Sequence, residues 1–180
     1  MAQLKILGIS GSLRKAATNG MLLREAARLF GDCDYTEASI EMALYDGDAE
    51  QADGVPDAAQ LLSDQIAAAD AVIMSTPEYN KGPSGALKNA LDWVSRTDGA
   101  PWADKPVAIM SAAAGRSGGE RAQMVLRGFL VPFRPRILQG PEVHLAASYE
   151  AFDAAGQLTG DAYVKDLTAL MAALRSEIGR

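Results

Sequence analysis

Cysteine and histidine each occur once in this 180-residue chain, as Cys33 and His144. A lone cysteine excludes an internal disulfide and any zinc or iron–sulfur site built from several cysteines, which favours a reducing compartment such as the cytoplasm. We interpret Cys33 as a buried, small apolar residue. His144 lies in a predicted late strand and has no evident serine or cysteine partner in the sequence. Hydrolase chemistry is therefore disfavoured, and no catalytic residue is assigned.

An excess of positive charge is also missing, because 17 Lys and Arg residues face 23 Asp and Glu residues, for a net charge of -6. Nucleic acids and anionic membranes require a concentrated positive field, so neither is expected as a partner. Long apolar runs are absent too. The run at residues 4–9 is shorter than the ~7–15-residue core of a signal peptide, and none approaches the ~18 residues of a membrane span. We therefore expect a cytoplasmic protein.

What the chain does have is the size and composition of one globular domain. Hydrophobic residues make up 48% and charged residues 22%, the balance of a chain that can bury a core. Compact domains cluster near ~100–150 residues, so two would be cramped here. Residues 1–180 are predicted to form a single domain.

Apolar runs alternate with helical stripes along this domain. Five strands are predicted, over residues 4–9, 33–40, 71–74, 106–110 and 137–145. Helices are predicted between them, over residues 19–30, from Pro56, from a first turn at Pro83 to residues 97–101, around 124–126 and over 163–178. The best-defined runs are apolar throughout, as in strands covered by helices on both faces. The pattern predicts an α/β fold with a doubly wound, five-stranded parallel sheet.

The segment between the second strand and the helix at Pro56 carries turn-forming residues and predicts an irregular connection. Its acidic side chains have no spacing that demands a metal, and we interpret them as solvating a loop. They are Asp46, Asp48, Glu50 and Asp53.

Three loops follow strands at the sheet edge where such folds bind ligands. The first, residues 8–19, reads GISGSLRKAATN. Its glycines let N–H groups point inward, a helix begins at its end, and its hydroxyls and arginine complete an anion site. It lacks the spacings of a triphosphate P-loop and of a dinucleotide fold, so a terminal monophosphate fits better. The alternative is that Ser12 and Thr18 only cap local structure while Arg14 is solvated.

The second loop, residues 76–83, reads TPEYNKGP. Tyr79 is suited to pack against a planar ring and Asn80 to meet its polar edge, although a simple turn with Tyr79 over the core is the alternative. The third loop, residues 112–119, reads AAAGRSGG. Its small residues let N–H groups approach ligand carbonyls, and Arg116 is suited to an anionic substrate or phosphate; the alternative is a surface linker.

Together the loops resemble those of the NAD(P)H-dependent FMN reductase family, which includes bacterial quinone, azo-dye and chromate reductases. The resemblance is carried by GSLR at residues 11–14 with Asn19, and by PEYN at 77–80 leading into GALKNALDW at 85–93. It covers nearly the whole chain. It implies a flavodoxin-like fold, FMN as cofactor and NADPH or NADH as electron donor.

The resemblance also implies a set of site residues. The phosphate would lie among the first-loop residues, the isoalloxazine beside residues 77–80, and its pyrimidine edge near 112–115. The family often has a serine three residues after the arginine, where this chain has Ala17, and Thr18 is the candidate replacement. The residues expected to bind FMN are Ser10, Ser12, Arg14, Thr18, Asn19, Pro77, Glu78, Tyr79, Asn80, Ala113 and Gly115, with Arg116 expected to bind substrate.

The implied activity is transfer of two electrons from NAD(P)H to a quinone, azo, flavin or metal-oxyanion acceptor by a ping-pong mechanism. A homodimer or homotetramer is implied, with the pocket near a subunit interface. Trp93 and Trp102 are candidates for that interface, although helix packing explains Trp93 equally well. The rival hypotheses are a flavodoxin-type electron carrier and an interaction protein without cofactor.

Overall fold

A parallel sheet forms the centre of the computed structural model, which describes residues 3–179. Residues 1, 2 and 180 of the domain predicted over residues 1–180 lie outside the described part. The strands are β1 (Lys5–Ser10), β2 (Asp34–Ala38), β3 (Ala71–Thr76), β4 (Pro106–Ala112), β5 (Arg136–Ile137) and β6 (His144–Leu145). They are all paired in parallel, in the order β2-β1-β3-β4-β5, with β6 also on β4. This is the flavodoxin-like strand order.

Helices cover both faces of the sheet. They are α1 (Thr18–Phe30), α2 (Gly47–Asp53), α3 (Asp57–Ala68), α4 (Gly85–Val94), α5 (Glu120–Leu130) and α6 (Asp161–Glu177). Successive side chains of a strand point to opposite faces. Ile73 therefore joins the core beneath α1 and α6, while its neighbours Val72 and Met74 join the core beneath α3, α4 and α5. The predicted α/β fold with helices on both faces is confirmed.

The last strand was predicted as one run over residues 137–145, and this is wrong. Its sheet position is shared by β5 and β6, which pair with opposite ends of β4. Pro141 lies between them. Proline has no N–H to give to a ladder, and pairing with β4 is interrupted between the two short strands that flank it.

The irregular connection predicted before Pro56 contains the short helix α2. Asp46 is its N-cap and accepts a hydrogen bond from Asp48 N at 2.9 Å, while Asp48 and Glu50 lie in the first turn. Carboxylates are favourable there because the helix start carries a partial positive charge. Glu50 also pairs with Arg96, at 2.8 Å. These carboxylates therefore stabilise a helix as well as facing water.

The limits predicted for α4 also need correction. The helix begins at Gly85, so Pro83 precedes it, because Ser84 provides the N-cap oxygen that accepts from Leu87 N at 3.2 Å. It ends at Val94, short of residues 97–101. At this end Val94 O accepts from both the backbone N–H and the hydroxyl of Thr97, at 3.2 and 2.8 Å, so the residues after the helix satisfy a carbonyl of its last turn.

Both tryptophans proposed for a subunit interface are buried within the chain. Trp93 is 2% exposed and donates from Nε1 to Ala43 O at 2.8 Å. Trp102 is 1% exposed and contacts Phe133 edge-on. The interface prediction for these two residues is wrong, because the core takes up both rings.

Cys33 is half-buried rather than fully buried, and it packs against the core beneath α1 and α6. Desolvation by this packing raises the pKa of its thiol. In residues 3–179 no helix combines the length and apolarity needed to cross a bilayer.

Candidate cofactor site

A cavity of about 490 Å³ opens at the carboxyl ends of the strands. The strand order reverses between β1 and β3, and this is where parallel α/β sheets bind ligands. The volume is within the ~300–1,000 Å³ of small-molecule pockets. The lining residues are Ser12, Arg14, Ala16, Ala17, Thr18, Asn19, Met21, Pro77, Glu78, Tyr79, Ala112, Ala113, Ala114, Ser148 and Tyr149.

The first turn of α1 opens onto this cavity. Its N-cap residue is Ala17, and no side chain caps the helix. The N–H groups of Thr18 and Asn19 lie in the first turn of the helix, where backbone N–H groups have no acceptor within the helix. Together with the helix dipole, they make the end of a 13-residue helix attractive to an anion.

The side chain of Asn19 is bound to the sheet. It is 3% exposed, and Nδ2 donates to Ala112 O at 2.9 Å. Oδ1 accepts from Ser75 Oγ at 2.8 Å and from Ala112 N at 3.0 Å. Asn19 therefore fixes the start of α1 against the ends of β3 and β4. Because its side chain is engaged, its backbone N–H is the group available to a ligand at the open helix start.

The other polar residues of the first loop divide between shaping the loop and facing the cavity. Ser10 lies outside the lining, and its hydroxyl accepts from Ser12 N and donates to Ser12 O, at 3.2 and 3.3 Å. Ser12 lines the cavity and accepts from Arg14 N at 3.4 Å. Arg14 also lines it, with an exposed side chain that has no ion-pair partner in residues 3–179. One cationic group is thus available beside the open helix start.

The second loop contains a tight turn. Tyr79 N donates to Gly82 O at 2.9 Å, and Gly82 N donates back to Tyr79 O at 3.1 Å. Asn80 and Lys81 between them have φ values of 50° and 72°, as the twisted two-residue hairpin turn requires. Tyr79 is 54% exposed. Asn80 lies outside the lining, so the loop presents Pro77 and the ring of Tyr79 to the cavity.

Glu78 lines the cavity as well, but its carboxylate is engaged. Oε2 accepts from Ala122 N at 3.2 Å, in the first turn of α5, whose N-cap is the side-chain-free Gly119. Glu78 therefore supplies the cap that α5 lacks. It is the single carboxylate among the described lining residues, so little negative charge opposes a bound anion.

The third loop is docked on the sheet and is not a free surface linker. Ala113 N donates to Leu145 O at 3.0 Å, and Ala113 O accepts from Ser148 N at 3.1 Å. The N–H of Ala113 is therefore already used, and the expected bond from it to a ligand carbonyl is not available. Gly115 and Arg116 lie outside the lining, which the third loop reaches through residues 112–114.

Ser148 and Tyr149 line the cavity and were not predicted. They follow β6 in a short 3₁₀ turn, Ser148–Glu150. Ser148 is 5% exposed, and its Oγ accepts from Thr18 Oγ1 at 3.0 Å. The residues after the last parallel strand reach the same sheet edge as the other loops, and this rule would have indicated them.

Residues 4–150 match the family described as NADPH-dependent FMN reductase. The chain belongs to this family. Membership confirms the predicted resemblance, and with it an enzyme that uses FMN and a reduced nicotinamide donor.

Individual relatives agree with this family. An NAD(P)H-dependent FMN reductase of Pseudomonas aeruginosa is 44% identical over 164 residues, which cover 88% of this chain and 86% of that protein. A quinone reductase of Escherichia coli is 38% identical over 143 residues, covering 78% and 76%. The structure of a flavoenzyme NAD(P)H:(acceptor) oxidoreductase from Paracoccus denitrificans is similar with a TM-score of 0.87 and 30% identity, covering 98% and 97%.

The residues around the cavity fit the cofactor of an FMN reductase. One end has the uncapped start of α1 and Arg14, which suit a phosphate dianion. The other end has Pro77 and the ring of Tyr79, which suit a flat aromatic ring system. The small side chains of residues 112–114 leave room between these ends.

Replacing Asn19 with alanine tests its structural role. We expect Asn19→Ala to lower the free energy of unfolding of the apoprotein by about 2–3 kcal/mol, since buried partners on β3 and β4 lose their bonds. Urea denaturation measures this. Arg14→Ala is the control and should change it by less than about 0.5 kcal/mol, as an exposed residue. Equal stability of the Asn19 variant and the wild type would contradict the role assigned to Asn19.

Proposed function

We propose that this family member passes two electrons from NADPH or NADH to a small acceptor of the quinone type, by a ping-pong mechanism. The observation that carries the proposal is the cavity at the β1/β3 edge, lined by Arg14 beside the uncapped start of α1 and by Pro77 and Tyr79. The similar quinone reductase of Escherichia coli supports the acceptor class. The Arg14 side chain and the N–H groups of Thr18 and Asn19 are proposed to hold the phosphate.

The contribution of the protein in this proposal is binding and orientation. FMN, when bound, supplies the two-electron chemistry that links donor and acceptor. Glu78 is the one carboxylate in the described lining, and its bond to Ala122 N leaves it a structural partner of α5. The proposal therefore gives Glu78 no acid–base role. Pro77 and Tyr79 would border the ring and shield one side of it from water.

A ping-pong order requires donor and acceptor to use one site in turn. With FMN in the cavity of about 490 Å³, both molecules would have to reach the flavin through the face left open to solvent. Donor and acceptor are therefore proposed to bind that face in turn. An electron carrier, by contrast, would accept electrons only through a separate reductase.

Anaerobic stopped-flow absorbance tests this function in two steps. NADPH or NADH alone should bleach the flavin band of the purified holoprotein within a single turnover, and a quinone added afterwards should restore it. Bleaching that requires the acceptor to be present would contradict the ping-pong order. No bleaching by either nicotinamide would support an electron carrier instead. The kcat/KM values for NADH and NADPH then identify the preferred donor.

Arg14→Ala tests the phosphate end of the site. The loss of a charge-assisted hydrogen bond is expected to weaken FMN binding by about 1.5–3 kcal/mol. Fluorescence quenching of FMN by apoprotein measures the Kd. Arg116→Ala is a matched control, because Arg116 is also an exposed loop arginine but lies outside the lining, and it should leave the Kd unchanged. The same Kd for the Arg14 variant and the wild type would remove Arg14 from the site.

The proposed assembly is a cytoplasmic homodimer or homotetramer with the cavity near a subunit interface. Tyr79 and Tyr149, which line the cavity, are 54% and 69% exposed and offer large apolar surfaces to a second subunit. The single cysteine suits a reducing compartment. Light scattering after gel filtration is expected to give at least twice the 19.0 kDa mass of the chain, and a monomeric mass would contradict the assembly.

A further inference from the structure

One hydroxyl pair at the cavity has an unused donor. Thr18 Oγ1 donates its proton to Ser148 Oγ at 3.0 Å. Ser148 is 5% exposed and lines the cavity, and no acceptor for its own proton lies among the described residues. A hydroxyl has one proton to donate and two lone pairs. The Ser148 donor and a Thr18 lone pair therefore remain unused beside the start of α1.

A second hydroxyl pair in the same molecule shows an arrangement in which both hydroxyl protons have acceptors within the protein. Ser63 and Thr97 are 2.7 Å apart between α3 and the end of α4, and Ser63 is 2% exposed. Thr97 donates its proton onward to Val94 O at 2.8 Å, so Ser63 is the donor to Thr97. That chain of donors ends on a carbonyl, whereas the chain from Thr18 through Ser148 ends at the cavity.

The position of Ser148 is fixed by the backbone. Ser148 N donates to Ala113 O at 3.1 Å, which holds the residue beside the end of β4. The backbone alone therefore positions the Ser148 hydroxyl near the first turn of α1, and no ligand is needed for this. At that turn the N-cap residue Ala17 supplies no side-chain oxygen. The hydroxyls of Thr18 and Ser148 are thus the side-chain polar groups beside a helix start that has no capping side chain.

We infer that Ser148 donates a hydrogen bond to a phosphate oxygen of FMN, with Thr18 as the residue that orients its hydroxyl. This inference rests on the proposed function, because it adds a ligand to the same cofactor site. A phosphate oxygen is a strong, charged acceptor, and it would complete the donor chain that stops at Ser148. Ser148 would then distinguish FMN from riboflavin, which has the same ring system but no phosphate.

The test compares the Kd of both flavins for Ser148→Ala apoprotein. FMN binding should weaken on the order of 10- to 100-fold, the cost of losing a hydrogen bond to a charged group. Riboflavin binding should change by less than about twofold. Riboflavin has no phosphate, so the variant loses no hydrogen bond to it. Ser63→Ala is the matched control. It should leave both Kd values unchanged, because its hydroxyl pair lies away from the cavity.

Two further variants separate phosphate binding from a structural effect. Ser148→Thr keeps the hydroxyl and should bind FMN nearly as well as the wild type does. Ala17→Ser combined with Ser148→Ala should recover part of the lost affinity, because it returns a hydroxyl donor beside the start of α1. If Ser148→Ala does not fold, Ser148→Cys replaces it, since a thiol is similar in shape but a weak donor.

Each outcome has a distinct meaning. Equal weakening of FMN and riboflavin by Ser148→Ala would overturn the inference, and so would unchanged FMN binding. If the wild-type apoprotein itself fails to take up FMN, the proposed function fails as well. If the wild type binds FMN and transfers electrons while Ser148→Ala binds FMN normally, only the inference fails.

Discussion

The side chain of Asn19 makes three hydrogen bonds that join the first turn of α1 to the ends of β3 and β4. Apolar packing beneath α1 is non-directional and does not by itself fix the helix along its axis. The amide of Asn19 does so, because its donor and acceptor must meet Ala112 and Ser75 at set distances. The open start of α1 therefore lies at a fixed distance from the second and third loops.

Hydrogen bonds within the protein also limit which polar groups of the cavity are available to a ligand. Glu78 is committed to the start of α5, and the N–H of Ala113 is committed to Leu145. The groups left facing the cavity are backbone N–H donors, Arg14, hydroxyls and flat or small side chains. Such a lining is suited to holding and orienting a redox cofactor. Although the chain carries a net charge of -6, Glu78 is the single acidic residue among the described lining residues.

The sequence predicted β1, β3 and β4 well, because strands buried on both faces are apolar throughout. It did not predict α2, which has no buried residue and so no apolar stripe. It joined β5 and β6 into one strand and placed nothing after them, so Ser148 was missed. The loops that meet in the cavity followed from topology. The direction of each side chain did not, since the bonds of Asn19 connect residues up to 93 positions apart.

We propose that the open start of α1 binds the phosphate of FMN. A ¹⁵N–¹H correlation spectrum of the apoprotein, titrated with FMN and separately with riboflavin, tests it most directly. The amides of residues 12–20 should shift strongly with FMN and little with riboflavin, while those of residues 78–82 should respond to both. Equal shifts of residues 12–20 with the two flavins, or none with FMN, would contradict it.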